Sequence, residues 1–274
     1  MKPWQTLVKY CAIALAVILI VNIAFWSLTA FGFIFRLSSS GTSDEAEVYS
    51  FDSDVIDCLD VDIAAAHVTL HADPGDKIIV KSNIKNLTAK DSGSTLKVKE
   101  KQGPFTVTES DAFVEIIYPI DFIFEKVDIF SGAGKLGIHS LTAKEFDLEL
   151  GAGDTSIDRL TVTKEADIDG GAGNLSFTRT EITDLDLDMG VGRLSFNVIL
   201  NGKNQISLGI GEAILDFYDD AERYYFDVEK GIGEIEYYGT DESNFKRADQ
   251  ESFVKIEGGI GKITVRFFDK PDNW

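Results

Sequence analysis

A Gly-x-Gly triplet recurs through the second half of this chain. It stands at Gly132-Ala133-Gly134, Gly151-Ala152-Gly153, Gly171-Ala172-Gly173, Gly190-Val191-Gly192, Gly209-Ile210-Gly211, Gly231-Ile232-Gly233 and Gly259-Ile260-Gly261. The steps between first glycines are 19, 20, 19, 19, 22 and 28 residues. A fixed period of this length marks an array of stacked units rather than one irregular core. Three residues before each triplet the side chain is aliphatic: Ile129, Leu148, Ile168, Leu187, Ile206, Val228 and Ile256. Its neighbours are mostly polar, which is the alternation of a half-buried strand. Four residues past the first glycine come Leu136, Thr155, Leu175, Leu194, Ala213, Ile235 and Ile263. Two further on come Ile138, Ile157, Phe177, Phe196, Leu215, Tyr237 and Val265.

Each unit is therefore strand, glycine bend, strand and a variable turn. Glycine bends sharply and enters φ > 0 without steric cost, and the middle residue of the triplet is expected to plug the corner. One unit cannot bury its own apolar face, but stacked units can. The expected fold is all-β: a parallel β-solenoid, or β-helix-like roll, of 19–20-residue repeats. A meander of antiparallel hairpins is the competing layout. Upstream, Leu59 to Leu70 follows the same template with Ala64-Ala65-Ala66 in place of the triplet.

Residues 1–36 hold no acid. Lys2 and Lys9 precede an uncharged run from Tyr10 to Phe35, closed by Arg36. That run exceeds the ~20 residues needed to cross a bilayer. It is longer than the apolar core of a cleaved signal peptide. The expectation is a cytoplasmic N-terminus over 1–9, a transmembrane anchor over 10–36 and a linker over 37–47. A solenoid ectodomain over 48–268 and a tail over 269–274 follow. Lysines before the span and acids after it put the ectodomain outside a cell membrane crossed once.

All 46 acids lie after residue 36, whereas Lys2, Lys9 and Arg36 are the only bases among the 26 that do not. A domain this acidic repels nucleic acid and stays soluble. Cys11 falls in the expected anchor and Cys58 is alone beyond it, so the ectodomain is held by its apolar core and not by a disulfide. Cys58 is expected to pack as a small apolar residue.

Catalytic chemistry is hard to assemble. Gly132 to Gly137 spells GxGxxG, yet strand-like residues follow where a dinucleotide site needs a helix. Gly170 to Leu175 resembles a calcium β-roll, but that motif repeats every nine residues and this one near twenty. His67, His71 and His139 show no metal-ligand spacing with a third donor.

The Gly-x-Gly units, the segment Val114-Glu115-Ile116-Ile117-Tyr118-Pro119 and the N-terminal apolar run resemble the DUF4097-type β-strand-repeat proteins, with adhesin-like or toastrack-like domains. The resemblance implies a bacterial surface protein of solenoid type and brings no catalytic residues. The expected function is a non-enzymatic, membrane-anchored envelope scaffold that binds a partner protein or cell-wall polymer. An accessory or sensor of an envelope-stress response is one alternative. A carbohydrate-active β-helix enzyme is another.

One candidate site stands out. Asp147, Glu149, Asp167, Asp169, Asp186 and Asp188 flank the aliphatic column in three successive units. They are expected on one outward face, with like charges about 4.8 Å apart. Gln205 and Ser207 interrupt the run in the next unit. No cofactor is expected beyond weak, millimolar Ca²⁺ at Asp167, Asp169, Asp186 and Asp188, because paired carboxylates suit hard cations.

Overall fold

The computed structural model describes residues 39–40, 42–101, 107–108, 111–238 and 251–271. The strands are β1 (Ser39–Ser40), β2 (Thr42–Asp52), β3 (Cys58–Asp73), β4 (Lys77–Ile84), β5 (Leu87–Ser92), β6 (Thr95–Glu100), β7 (Val107–Thr108) and β8 (Phe113–Pro119). Then come β9 (Ile123–Ile138), β10 (Leu141–Thr183), β11 (Leu185–Asn201), β12 (Lys203–Phe217), β13 (Tyr224–Glu229), β14 (Ile232–Tyr238) and β15 (Ser252–Phe267). The pair β1–β7 is a sheet by itself. The other thirteen strands form one sheet.

From β3 onward the repeat stacks in parallel and in register. Ile129 pairs with Val61, Leu148 with Ile129, Ile168 with Leu187, and Leu187 with Ile206. Every one of these side chains is buried, so the aliphatic column is the core. β10 is long because it runs through two units, whose corners meet at Gly151 against Gly171 and Gly153 against Gly173.

The corner explains both glycines. The second glycine of the triplet holds φ between +119° and +148° at Gly134, Gly153, Gly173, Gly192, Gly211 and Gly261. A Cβ there would also drive into the carbonyl oxygen of the matching residue on the neighbouring strand, Ala66 for Gly134 and a glycine for the others. The alanines of β3 escape this rule for a visible reason. β6 covers only Cys58–Asp62 and β8 only His67–Asp73, so among the described residues no strand lies against the corner on the side away from β9. There the Ala64 N–H donates instead to the buried Glu100 carboxylate at 3.1 Å.

Three expectations are corrected. First, the sheet is mixed. β2 runs antiparallel to β4, β4 to β8, and β5 to β6. An exposed first unit would offer an open edge; β6 and β8 cover β3 in parallel, and the antiparallel pairs continue outward from them. Secondly, β2 starts at Thr42, inside the segment 37–47 expected as linker. Thirdly, the middle residue of the triplet does not plug the corner. Val191, Ile210, Ile260 and Ile232 are 51%, 52%, 51% and 74% exposed. The corner is filled by the residue before the first glycine: Leu150, Met189 and Leu208 pack against the core. A further feature is that the last two units do not stack in chain order. β15 lies between β12 and the pair β13–β14, which forms the outermost unit.

The expected membrane span falls on residues outside those described, as does most of the polar connection from Tyr238 to Ser252. Among the described residues no helix is long and apolar enough to cross a membrane. Cys58 is half-buried and not fully packed away.

Candidate functional site: an acidic ladder

The four predicted carboxylates are brought together. Asp167 and Asp169 stand on β10, directly opposite Asp186 and Asp188 on β11. All four are exposed, because they alternate with the buried Ile168 and Leu187. Asp147 pairs with Asp128, and Asp128 pairs with Asp60. The first ladder is thus Asp60, Asp128, Asp147, Asp167 and Asp186, five aspartates on successive units. Asp128 and Asp60 extend it beyond the sequence reading. Each lies four residues before the first residue of its own corner, Gly132 or Ala64, so the alignment of units holds the signal that finds them.

A second ladder runs beside the first. Glu149, Asp169, Asp188 and Glu257 border a shallow groove of about 570 Å³, floored by Leu150, Met189 and Leu208. Ser207 breaks the charge, as expected.

Electrostatics sets the character of this face. Partial burial pushes the Asp167 carboxyl above the ordinary aspartate value, and Asp169, Asp147, Asp186 and Asp188 push it further the same way. Asp186 is raised by burial and then by Asp188 and Asp169. Asp128 is raised by burial and then by Asp147 and Asp60, against the pull of Lys126 and Lys99. Cations sit at the margins: Lys99 meets Asp60 at 3.0 Å, and Lys126 reaches Asp147 at 4.0 Å. Among the described residues no basic side chain pairs with Asp167, Asp169, Asp186 or Asp188. The centre of the face is a strip of carboxylates with no basic partner among the described residues, and within it Asp167 and Asp186 hold a proton more readily than free aspartates do.

The metal reading gains no donor set from this geometry. Among the described residues, no group of three or more His, Cys, Asp or Glu is placed to hold a metal ion. A flat ladder on parallel strands points its carboxylates side by side, not toward one centre. His71 meets His139 edge to face at 6.3 Å between ring centroids, and His139 Nδ1 lies 2.9 Å from Asp158 Oδ2.

A glycine-cornered, in-register β stack with an acidic lateral face is a repeat scaffold. The toastrack DUF4097 family pattern matches residues 56–246, and the chain belongs to that family. No curated protein is detectably similar in sequence. Solved structures with similar backbones include a candidate adhesin from Bacteroides fragilis, at 11% identity and TM-score 0.43 over 83% of this chain and 99% of that one. A candidate lipid-binding protein from Parabacteroides distasonis shows 14% identity and TM-score 0.43 over 82% and 99%. A candidate cell adhesion protein from Clostridium sporogenes shows 14% identity and TM-score 0.35 over 81% and 99%.

Proposed function

We propose that this is a non-enzymatic binding protein of the bacterial envelope, anchored by residues 10–36 with its β stack outside the cell. Its lateral acidic face engages cationic groups of a partner protein or cell-wall polymer. The observation that carries the reading is the ladder Asp60, Asp128, Asp147, Asp167 and Asp186, held at strand spacing on a rigid sheet. A repeating face suits a repeating or extended partner, because each unit offers the same contact again. Such a partner gains by neutralising carboxylates that already repel one another. Calcium ions in the millimolar range fit the same face as weak, screening-type ligands centred on Asp167, Asp169, Asp186 and Asp188.

The test is crosslinking in intact cells followed by identification of what is captured. The wild-type chain is compared with a variant carrying Asn at Asp128, Asp147, Asp167 and Asp186. The expected result is a captured component that disappears in the variant while its amount and melting temperature are retained. Capture that is unchanged in the variant counts against the acidic face. Protease added to intact cells is expected to remove the β stack, and protection until lysis would reverse the orientation.

A further inference from the structure

Between β11 and β12 lies the only Asn-Gly step in the chain, Asn201-Gly202. Glycine is required there twice over. Gly202 has φ +73°, and a Cβ on it would stand 2.2 Å from Asp184 Oδ1. The step is pinned by Asn204, whose buried amide donates to the Asn201 and Gly202 carbonyls at 3.2 and 3.3 Å. The Asn201 carbonyl also accepts from the Asp184 N–H at 3.0 Å.

Two charged groups from elsewhere in the chain meet at this step. Arg223 ends a single 3-10 turn, Ala221–Arg223, and donates from Nη2 to Asn201 Oδ1 at 2.6 Å. The same guanidinium is held by Asp219 and by Glu251, the latter at 3.1 Å from Nε. Asp184 accepts from the Lys203 N–H at 2.7 Å, so its carboxylate lies against the backbone of Gly202 and Lys203. An aspartate at 201 would take the Arg223 bond more strongly than the neutral amide does.

We propose that Asn201-Gly202 is a self-modifying site, which converts to aspartyl and isoaspartyl forms through a cyclic imide. The Gly202 nitrogen bonds to Cγ of Asn201, and the bond from Cγ to Nδ2 breaks. The Gly202 amide proton passes to the Asp184 carboxylate, directly or through one water, and leaves with Nδ2 as ammonia. Negative charge gathers on Oδ1 as the new bond forms, and the Arg223 guanidinium is in place to receive it. Water then opens the ring. Attack at Cγ leaves aspartate. Attack at the main-chain carbonyl leaves isoaspartate, with one extra carbon in the backbone. The sum is one water taken up and one ammonia released, with no change of oxidation state. Each event adds one negative charge beside Arg223, where the guanidinium stabilises it. The proposal does not rest on the acidic ladder.

The full-length protein is incubated at neutral pH and digested with trypsin, and the peptide Leu194 to Lys203 is followed by mass spectrometry. The same peptide made synthetically, and the protein held in urea, give the rate of the unstructured step. Asn201, and not Asn197 beside it, is expected to exchange NH2 for OH, with isoaspartate among the products. The folded protein is expected to convert faster than the synthetic peptide. Arg223→Gln and Asp184→Asn are each expected to slow the folded protein by about tenfold and to leave the rate in urea unchanged. Thermal melts show whether each variant is folded, and where one is not, the folded wild type against the synthetic peptide decides. A folded wild type that keeps Asn201 intact while the peptide converts overturns the proposal. So does aspartate without isoaspartate, which means direct hydrolysis of the side chain. Equal rates in the wild type and both folded variants overturn the roles given to Arg223 and Asp184.

Discussion

Asp216 and Arg266 face each other across β12 and β15, fifty residues apart in sequence, and close two parallel hydrogen bonds of 2.6 Å each. The Asp216 side chain is 9% exposed and that of Arg266 39%. Fork geometry of this kind is the strongest form of ion pair, but the exposed arginine weakens it by solvent screening. Replacing either residue by Ala is expected to destabilise the chain, and a double-mutant cycle is expected to give a coupling of about 1–2 kcal/mol. Urea melts of the two single variants and the double variant supply the four values. Strict additivity would mean that the pair does not hold β15 in place.

The order of the last units is open to a direct check. Glu212 and Lys262 are register partners, whereas Glu212 and Glu234 are separated by β15. With Cys11 and Cys58 changed to Ser, cysteines at 212 and 262 are expected to crosslink readily within one chain. Cysteines at 212 and 234 are expected to stay reduced under the same oxidant. The reverse pattern would restore stacking in chain order.

How much of this was legible in the sequence follows from what repeats. The aliphatic column and the glycine corners recur at fixed offsets, so Ile168 and Gly173 announce both their burial and their bend. The covering strands at the first unit do not recur, and Ile79 or Ile117 looks like any half-buried strand residue. Their antiparallel pairing is set by tertiary contact and leaves no periodic trace. The placement of β15 left a trace in charge, since Lys255 breaks a column that is otherwise aspartate or glutamine. Local alternation cannot report it, because each unit satisfies the same pattern whichever neighbour it takes. The outward direction of Val191 and Ile210 was hidden too, because the corner shifts the phase of the alternation.

The glycine corners differ in what they tolerate. Gly192 has φ +142° and would press a Cβ into the Gly173 carbonyl, so Gly192→Ala is expected to cost about 3 kcal/mol or more. Ala66 occupies a corner that, among the described residues, has no strand on the side away from β9, and Ala66→Gly is expected to cost no more than about 1 kcal/mol, through chain entropy. Gly75 has open space around it, and Gly75→Ala is expected to change stability by less than about 1 kcal/mol. Denaturant midpoints of the three variants give the ranking. A mild Gly192→Ala would mean that the stack has more room at its corners than the backbone shows.

Acidification is expected to act on the ladder in an unusual direction. Asp128, Asp167 and Asp186 are raised in the folded chain above the ordinary value of 3.8. A raised carboxyl binds its proton more tightly when folded than when unfolded. Its charge therefore costs stability at neutral pH, and that cost is lifted as the pH falls through the raised values toward 3.8. Glu145 and Glu236 oppose this, since Lys164 and Lys262 hold them below the ordinary glutamate value. Their contribution is lost only at still lower pH. The melting temperature is therefore expected to rise modestly as the pH falls through the raised aspartate values toward 3.8, then to fall under stronger acid. Asp167→Asn with Asp186→Asn is expected to raise the melting temperature at pH 7 and to flatten the rise on acidification. Millimolar Ca²⁺ is expected to do the same for the wild-type chain and less for this variant, at fixed ionic strength. Sodium chloride giving an equal shift would leave screening as the whole effect. A pH profile unchanged by the two substitutions would show that repulsion along the ladder carries no measurable weight.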